Sequence, residues 1–305
     1  MRTPRTALVL VALTVAAAFA VPALCVTVDG SLDPEYGPPL ATQTRSYGIA
    51  GPYVLGIPGS SGHSELDELY GFVADGVLHL FVSGNLLATY NPIDPGNIAD
   101  DLRVFIDCRP GGQNVLATPS SASRLTSEAG LRFGTGFAAD YEFDCRCFGN
   151  LGLGPFYLYV SEDTLSATDA VETYLGAAPV PGSGTLSGGT NPLGVLAAID
   201  NGDTLGVSGG CGTSSGAGAT RGVELAIPLA AIGSPSGCIR VFAYADRSLW
   251  MTDQALPPAP NLACYGQSVS TTDFSAMGGA AYVTACAAQV PARKTTWGSL
   301  KRAYR

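Results

Sequence analysis

The sequence has few charged residues: Asp, Glu, Lys and Arg together make up 13 % of its 305 residues, against about 25 % in an average soluble protein. Lysine is the rarest, because Lys294 and Lys301 near the C-terminus are its only two occurrences. Acidic residues outnumber basic ones by 25 to 16, which gives a formal net charge of −9. Since an acidic chain repels the phosphate backbone, we expect no nucleic-acid partner.

Long apolar runs are also scarce, and the clearest one lies at the N-terminus. Residues 7–20 are mostly apolar and follow the basic residues Arg2 and Arg5. A run of 14 residues is shorter than the roughly 18 to 20 that a transmembrane helix needs, but it fits a secretory signal peptide. We therefore predict a signal peptide over residues 1–25, cleaved after Ala20 or after Cys25, and a secreted or cell-surface protein without a transmembrane segment.

The sequence has no long amphipathic helical pattern, whereas glycine (39) and proline (21) are abundant. Several short runs alternate between apolar and polar residues, which is the period of a strand. Two runs, residues 69–74 and 77–83, flank Asp75-Gly76, a strong hairpin signal. About ten such runs predict one domain over residues 26–290. Its expected fold is an all-β, jelly-roll-like antiparallel β-sandwich with long Gly/Ser/Pro loops.

The last stretch, residues 291–305, differs from the rest of the chain in the sign of its charge. It contains basic residues and no acidic residue. A basic segment of this kind is either a sorting or anchoring signal or a solvated, disordered terminus. The first alternative predicts association with the cell envelope through this basic tail.

Eight cysteines are present, and export makes disulfide bonds the expected state for them. Spacing does not fix the connectivity. We expect Cys108 to pair with Cys145 or Cys147, Cys211 with Cys238, and Cys264 with Cys286, while Cys25 is removed if cleavage follows it. A metal site on Cys145 and Cys147 is the alternative. It is disfavoured because no His or further Cys lies close by in sequence.

Two of the predicted strands carry a cation, aromatic rings and a carboxylate on one face. The residues on these mixed faces are Arg103, Phe105 and Asp107 on one strand and Arg240, Phe242, Tyr244 and Asp246 on the other. The opposite faces are apolar and are expected to form the core. If the strands share a sheet, the mixed faces form a groove in which aromatic rings stack on sugars and Arg and Asp bind hydroxyls. The alternative is that a long loop covers this face and the charged groups pair with one another.

Other candidate sites carry less specific signals. Asp200 and Asp203 offer oxygen ligands on a turn, which suits a structural Ca²⁺, although both are also ordinary turn residues. We expect no other cofactor. The run 206–210 is similar to the nucleophile loop of chymotrypsin-like proteases, but the two histidines lack the flanking sequence of such enzymes. No pair of carboxylates is singled out for glycoside hydrolysis.

Several short motifs resemble carbohydrate-binding module family 9 and the related DOMON-like sandwiches. These motifs are Asp29-Gly30-x-Leu32-Asp33, the hairpin with Tyr70-Gly71-Phe72 and Leu78-His79-Leu80, Val104-Phe105-Ile106-Asp107, Ala198-Ile199-Asp200-Asn201 and Gly222-Val223-Glu224-Leu225-Ala226-Ile227-Pro228. The resemblance covers residues 26–287. It implies an extracellular jelly-roll-like sandwich that binds sugars and, in some relatives, haem. Family 9 modules typically hold sugar with paired Trp, whereas the two Trp of this sequence are Trp250, one of the ligand-binding candidates, and Trp297 in the tail. The sugar specificity of the family therefore does not transfer.

Together, these observations predict an exported, non-enzymatic β-sandwich that binds a polysaccharide or a cell-surface glycan. Two alternatives remain open. One is a structural surface or matrix protein without a small ligand, and the other is an extracellular hydrolase.

Overall fold

A computed structural model describes residues 26–46, 64–86, 100–148, 156–182, 184–203, 205, 211–247 and 249–287. The predicted signal peptide, residues 1–25, and the basic tail, residues 291–305, lie outside the described residues, as does the run 206–210. The cleavage site, the role of the tail and the nature of that run therefore stay predictions.

The described residues form short and medium strands with a few 3₁₀ turns. The strands are β1 Ala41–Thr42, β2 Arg45–Ser46, β3 Glu65–Ala74, β4 Val77–Asn85, β5 Asp101–Asp107, β6 Tyr141–Phe148, β7 Phe156–Leu165, β8 Ala170–Val180, β9 Ser187–Gly188, β10 Leu196–Ile199, β11 Gly212–Thr213, β12 Gly222–Pro228, β13 Ile239–Arg247, β14 Trp250–Leu256, β15 Tyr265–Ser268 and β16 Val283–Ala285. The 3₁₀ turns are η1 Pro34–Tyr36, η2 Arg124–Glu128, η3 Leu229–Ile232, η4 Val269–Thr271 and η5 Phe274–Ala276.

The strands assemble into two main antiparallel sheets. One has the order β1-β3-β4-β12-β10, and the other has the order β15-β14-β13-β5-β6-β7-β8-β9, with β16 paired to one end of β13. A small third sheet joins β2 and β11. The all-β class is thus confirmed, while this strand order does not establish the jelly-roll connectivity. None of the helices in the described ranges is long and apolar enough to span a membrane.

The hairpin predicted at Asp75-Gly76 is present between β3 and β4. Both turn residues have positive φ, 50° at Asp75 and 77° at Gly76, as the tight type I′ connection requires. Val73 consequently pairs with Leu78, and Gly71 with Leu80. This register places the alternate residues Leu78, Leu80 and Val82 on one face, where they are buried.

The main core lies between the two large sheets. Leu80 and Leu225 from the five-stranded sheet and Val104, Ile106 and Phe143 from the larger sheet belong to it. Each of these residues alternates along its strand with a neighbour that points away from the core, so period-two burial organises both sheets. The sequence prediction of a sandwich core is confirmed at these positions.

Both sheets are also covered on part of their outer faces. On the larger sheet, the cover consists of residues 108–140, which we call the β5–β6 connection, and residues 257–282, which follow β14. These segments bury a second apolar cluster against the strands. On the smaller sheet, Tyr36 packs edge-on against Phe72 with ring centroids 5.3 Å apart and closes a third cluster. The molecule is therefore thicker than a two-layer sandwich.

Glu224 of β12 fastens the N-terminal segment to the smaller sheet. Its Oε2 accepts hydrogen bonds from the backbone N–H groups of Asp29 at 2.9 Å and Gly30 at 3.1 Å. Its Oε1 accepts one from the Tyr36 hydroxyl at 2.9 Å. Burial nevertheless raises the pKa of Glu224 to about 7, because the hydrogen bonds offset only part of the cost of desolvating its charge. Two of the motifs singled out in the sequence thus contact each other.

The cysteine pairing differs from the prediction. Two disulfides join Cys211 to Cys264 and Cys238 to Cys286. The second follows from strand pairing, because Ile239 lies opposite Ala285 in the antiparallel pair of β13 and β16. Cys238, just before Ile239, therefore faces Cys286, just after Ala285. Disulfide bonds are typical of oxidising compartments.

The predicted bridge from Cys108 to Cys145 or Cys147 is wrong, and all three thiols are free. In the sheet register Leu102 lies opposite Cys145. Cys108 stands six residues further along the chain, just past the end of β5 and about 20 Å away at the rise of a strand. Cys145 and Cys147 point into the main core instead. Burial raises the pKa of Cys147 to about 12, which disfavours the thiolate that metal binding requires.

Candidate functional site

The two strands with mixed faces do lie side by side in the larger sheet. β13 pairs with β5 so that Phe242 lies opposite Phe105 and Tyr244 opposite Arg103. The face that they share is covered, however, because Arg103, Phe105, Phe242 and Tyr244 each retain 2 % or less of their exposure. The alternative considered from the sequence, a long loop over this face, describes the structure. An open groove at these residues is not present.

Aromatic packing shows how the cover is held. The Phe105 ring meets Phe133 of the β5–β6 connection edge-on at 4.8 Å between centroids and stacks on Tyr244 at 5.7 Å. Phe242 meets Phe274, which lies in the covering segment 257–282, in the same edge-on manner at 4.7 Å between centroids. These rings therefore pack on one another as a core, and their faces are not accessible to a sugar.

The remaining candidates of this group lie at its margins. Arg240 donates a hydrogen bond to Asp107 at 3.0 Å, and its guanidinium lies 5.1 Å from the centre of the Tyr282 ring. Trp250, at the start of β14, is half exposed and does not belong to the buried aromatic cluster. The structure therefore separates Trp250 from the aromatic residues with which it was grouped.

Arg103 is buried at the centre of an ion cluster on the same outer face. Its Nε lies 3.0 Å from both Glu128 Oε1 and Asp246 Oδ1. Its Nη1 donates to Glu142 Oε1 at 2.8 Å, and its Nη2 donates to Asp101 Oδ2 at 3.2 Å. The Arg103 side chain is thus committed to carboxylates of the protein, which removes it from the ligand-binding candidates.

Further charged groups surround this centre, and we refer to the whole set as the Arg103 cluster. Its members are Asp101, Arg103, Arg124, Glu128, Glu142, Asp144, Arg146, Asp163, Glu172 and Asp246. Burial raises the pKa of Asp101 to about 6 and that of Glu128 to about 7. It also places the pKa values of Glu142 and Asp246 well above the ordinary range of a carboxyl group. Desolvation outweighs the attraction of Arg103 at each of these four sites.

The predicted calcium residues are engaged in the turn itself. Asp203 Oδ2 accepts hydrogen bonds from the backbone N–H groups of Thr220 at 2.9 Å and Arg221 at 3.0 Å. Asp200 accepts one from Gly202 N–H and pairs with Arg221 at 3.6 Å. Within the described ranges, no group of three or more His, Cys, Asp and Glu side chains is arranged to hold a metal ion. The turn alternative accounts for both residues.

An exposed group of aromatic residues lies on β6, β7 and β8, beyond the edge of the cover. We call Phe148, Tyr157, Tyr159 and Tyr174 the aromatic patch. The Tyr159 ring is at its centre, 5.5 Å from Phe148, 6.4 Å from Tyr157 and 6.3 Å from Tyr174 between centroids. Tyr174 retains 38 % of its exposure, and the other three are half-buried.

Strand geometry places these rings together. Tyr157 and Tyr159 alternate with the buried Leu158, so both point outward from β7. Phe148 of β6 lies directly opposite Tyr157. Tyr174 of β8 lies opposite Ser161, next to a β-bulge that shifts the register between β7 and β8. The patch is thus built on paired strands rather than on loops.

Charged groups border the patch, and their charges are already paired. Arg146 donates two hydrogen bonds to Asp101, and its guanidinium lies 5.5 Å from the centre of the Phe148 ring. Arg124 lies 3.2 Å from Asp144 and 3.3 Å from Glu172. A surface with apolar rings, phenolic hydroxyls and compensated charges suits a neutral ligand with C–H faces and hydroxyl edges.

The aromatic patch was not identified from the sequence. The available signal was the pattern Tyr157-Leu158-Tyr159, in which two aromatic residues flank an apolar one. The same pattern also fits a strand whose tyrosines are covered by another layer. The buried rings of β5 and β13 differ from the patch because residues 108–140 and 257–282 pack on them.

Comparisons of the chain with protein-family models, with curated proteins and with solved structures found no match. The resemblance to family 9 modules and DOMON-like sandwiches stays a prediction, and no ligand is inferred from it.

Proposed function

We propose that this protein is an exported, non-catalytic binding domain that holds a neutral polysaccharide or cell-surface glycan on the aromatic patch. The observation that carries the proposal is the cluster of four rings around Tyr159 on the larger sheet, which are half-buried or exposed among the described residues. A pyranose ring offers apolar C–H groups on its faces and hydroxyls at its edge. Tyrosine offers the complementary combination of an apolar ring and a hydroxyl with little side-chain entropy to lose.

The charge around the patch supports a neutral rather than an anionic ligand. Arg146 and Arg124 are the cations that border the rings, and both are paired with carboxylates. The chain as a whole carries an excess of acidic residues, which repels polymers rich in carboxylate or phosphate. Two disulfides and the predicted signal peptide support a location outside the cell, where such polymers occur.

The test is retention of the protein on insoluble polymers. Cellulose and chitin are the neutral probes, and polygalacturonate immobilised on beads is the anionic one. The double variant Tyr157→Ala with Tyr159→Ala should lose at least tenfold in retention on a neutral polymer that binds the wild type. Its circular dichroism spectrum should stay unchanged, because the replaced rings are partly exposed.

Trp250→Ala is the matched control, since it removes an exposed aromatic ring from a different part of the sheet. The control should bind as the wild type does. Equal retention of the double variant and the wild type would remove the aromatic patch from the proposal. Retention lost in Trp250→Ala alone would move the binding surface to β14. Failure of the wild type to bind any of the polymers would favour a structural surface protein without such a ligand.

A further inference from the structure

The Arg103 cluster contains more negative groups than positive ones. Seven carboxyl groups face three guanidinium groups, and six of the seven are on residues that retain less than 3 % of their exposure. Glu172 is the exception, with a side-chain exposure of 20 %. Full ionisation would therefore leave four more negative than positive charges in a cluster whose carboxyl groups are, except for Glu172, buried. Burial of unpaired charge is costly, so the excess has to be neutralised.

Several carboxylate oxygens of the cluster have no hydrogen-bond partner in the described part of the structure. They are Glu142 Oε2, Asp144 Oδ1, Asp163 Oδ2 and Asp246 Oδ2, together with Glu128 Oε1, which accepts no hydrogen bond although it lies 3.0 Å from Arg103 Nε. Protons bound to some of these carboxyl groups would neutralise the excess without any further partner. The raised pKa values of Glu128, Glu142 and Asp246 agree with this conclusion.

The carboxylates differ in how firmly the backbone holds them. Strands β5, β6, β7, β8 and β13, which carry all but one of these carboxylates, are fixed by hydrogen-bonded neighbours in the sheet. Glu128 belongs instead to η2, a single turn within the β5–β6 connection. Repulsion within the cluster is therefore relieved most easily by movement of η2 away from the sheet.

Other contacts of η2 and of the rest of the connection limit how far this turn can move. Leu125 is buried in the apolar cluster of the outer layer, and Ser123 Oγ donates a hydrogen bond to Asp163 at 2.8 Å. Tyr244 donates its hydroxyl hydrogen to Glu128 Oε2. The apolar contacts of the rest of the connection do not depend on protons, so separation is expected to be local.

We propose that the attachment of η2 to the larger sheet is a pH-dependent device, firm in acidic solution and loosened as the solution becomes alkaline. The groups that interact with Glu128 are Asp101 and Arg103 from β5, Glu142 and Asp144 from β6, Asp163 from β7, and Tyr244 and Asp246 from β13. Arg124 from η2 itself, Arg146 from β6 and Glu172 from β8 pair with other members of the cluster. A carboxyl group with a raised pKa binds its proton more tightly in the closed state. Its contribution to closure is complete at pH values below about 4.5 and is lost as the pH rises through the raised value.

Amide hydrogen exchange of the full chain tests this proposal. The reporters are backbone N–H groups of the connection: Leu125 N–H bonds to Ser123 Oγ, Thr126 N–H to Ser123 O, and Leu131 N–H to Glu128 O. Protection factors, corrected for the intrinsic pH dependence of exchange, should fall at least tenfold between pH 5 and pH 8 in residues 123–131. Protection in β3 and β4 should change by less than twofold over the same interval.

Two substitutions separate protonation from other effects of pH. Glu128→Gln and Asp246→Asn each place a neutral group at a position that otherwise needs a proton, so both should reduce the tenfold fall to less than threefold. Glu35→Gln, at an exposed acid of η1, should behave as the wild type.

Three results would overturn the proposal. Equal protection of residues 123–131 at pH 5 and pH 8 is the first. The second is a tenfold fall that persists in both neutral variants. The third is a loss of protection at pH 5 on addition of EDTA, since it would make a metal ion rather than protons the neutralising group.

Discussion

Replacement of Phe105 by alanine distinguishes a covered core from a binding face. The Phe105 ring is fully buried between Tyr244 of the neighbouring strand and Phe133 of the β5–β6 connection. Truncation of a buried Phe to Ala costs about 3–5 kcal/mol in free energy of unfolding, because both the burial and the packing of the ring are lost. At about 2–4 °C per kcal/mol for a domain of this size, the midpoint of thermal unfolding should fall by about 6–20 °C.

The assay is thermal unfolding followed by circular dichroism at a single pH, with Tyr174→Ala as the matched aromatic control. Tyr174 is exposed, so its truncation should change the free energy of unfolding by no more than about 0.5 kcal/mol. A Phe105→Ala variant with the midpoint of the wild type would refute the reasoning. It would show that the outer face of β5 is open in solution.

Three further predictions concern the fastening of the layers. Glu224→Ala leaves two backbone N–H groups and the Tyr36 hydroxyl without an acceptor, so chemical denaturation should show a loss of at least about 2 kcal/mol. Reduction of either disulfide, Cys211–Cys264 or Cys238–Cys286, should lower the free energy of unfolding by about 4 kcal/mol, since the bonds close loops of 53 and 48 residues. Peptide mapping that finds other cysteine pairs would contradict the strand pairing around these residues. Asp67 is buried, its carboxylate oxygens lack hydrogen-bond partners in the described structure, and burial raises its pKa to about 8. Asp67→Asn should therefore raise the midpoint of thermal unfolding at pH 9 and leave it nearly unchanged at pH 5, where Asp67 is protonated. A midpoint at pH 9 that stays the same or falls would contradict this reasoning.

The sandwich core was predictable because it depends on local periodicity. Leu78, Leu80 and Val82 alternate with polar or half-buried neighbours, and Asp75-Gly76 specifies a tight turn whatever the strands pack against. The same reasoning identified the shared face of Arg103 and Phe105. Short-range patterns of this kind predict the structure correctly wherever burial of one face determines how a strand is oriented.

The outer layers were not predictable from the same patterns. Whether Phe105 faces solvent or protein depends on the path of residues 108–140, which contains no regular element other than η2 and follows no periodicity. Disulfide pairing failed for a related reason, since Cys238 meets Cys286 only through the long-range pairing of β13 with β16. The exposure of the aromatic patch depends likewise on which parts of the sheet the covering segments reach, and no local signal around Tyr159 records that.

Hydroxyl-radical footprinting, with and without a bound neutral polymer, tests the division of the outer face most directly. The account predicts that Tyr159 and Tyr174 are oxidised in the free protein and protected in the complex, while Phe105 and Phe242 are unreactive in both. Oxidation of Phe105 and Phe242 at the rate of the patch tyrosines, or tyrosines whose reactivity does not change when the polymer binds, would contradict it.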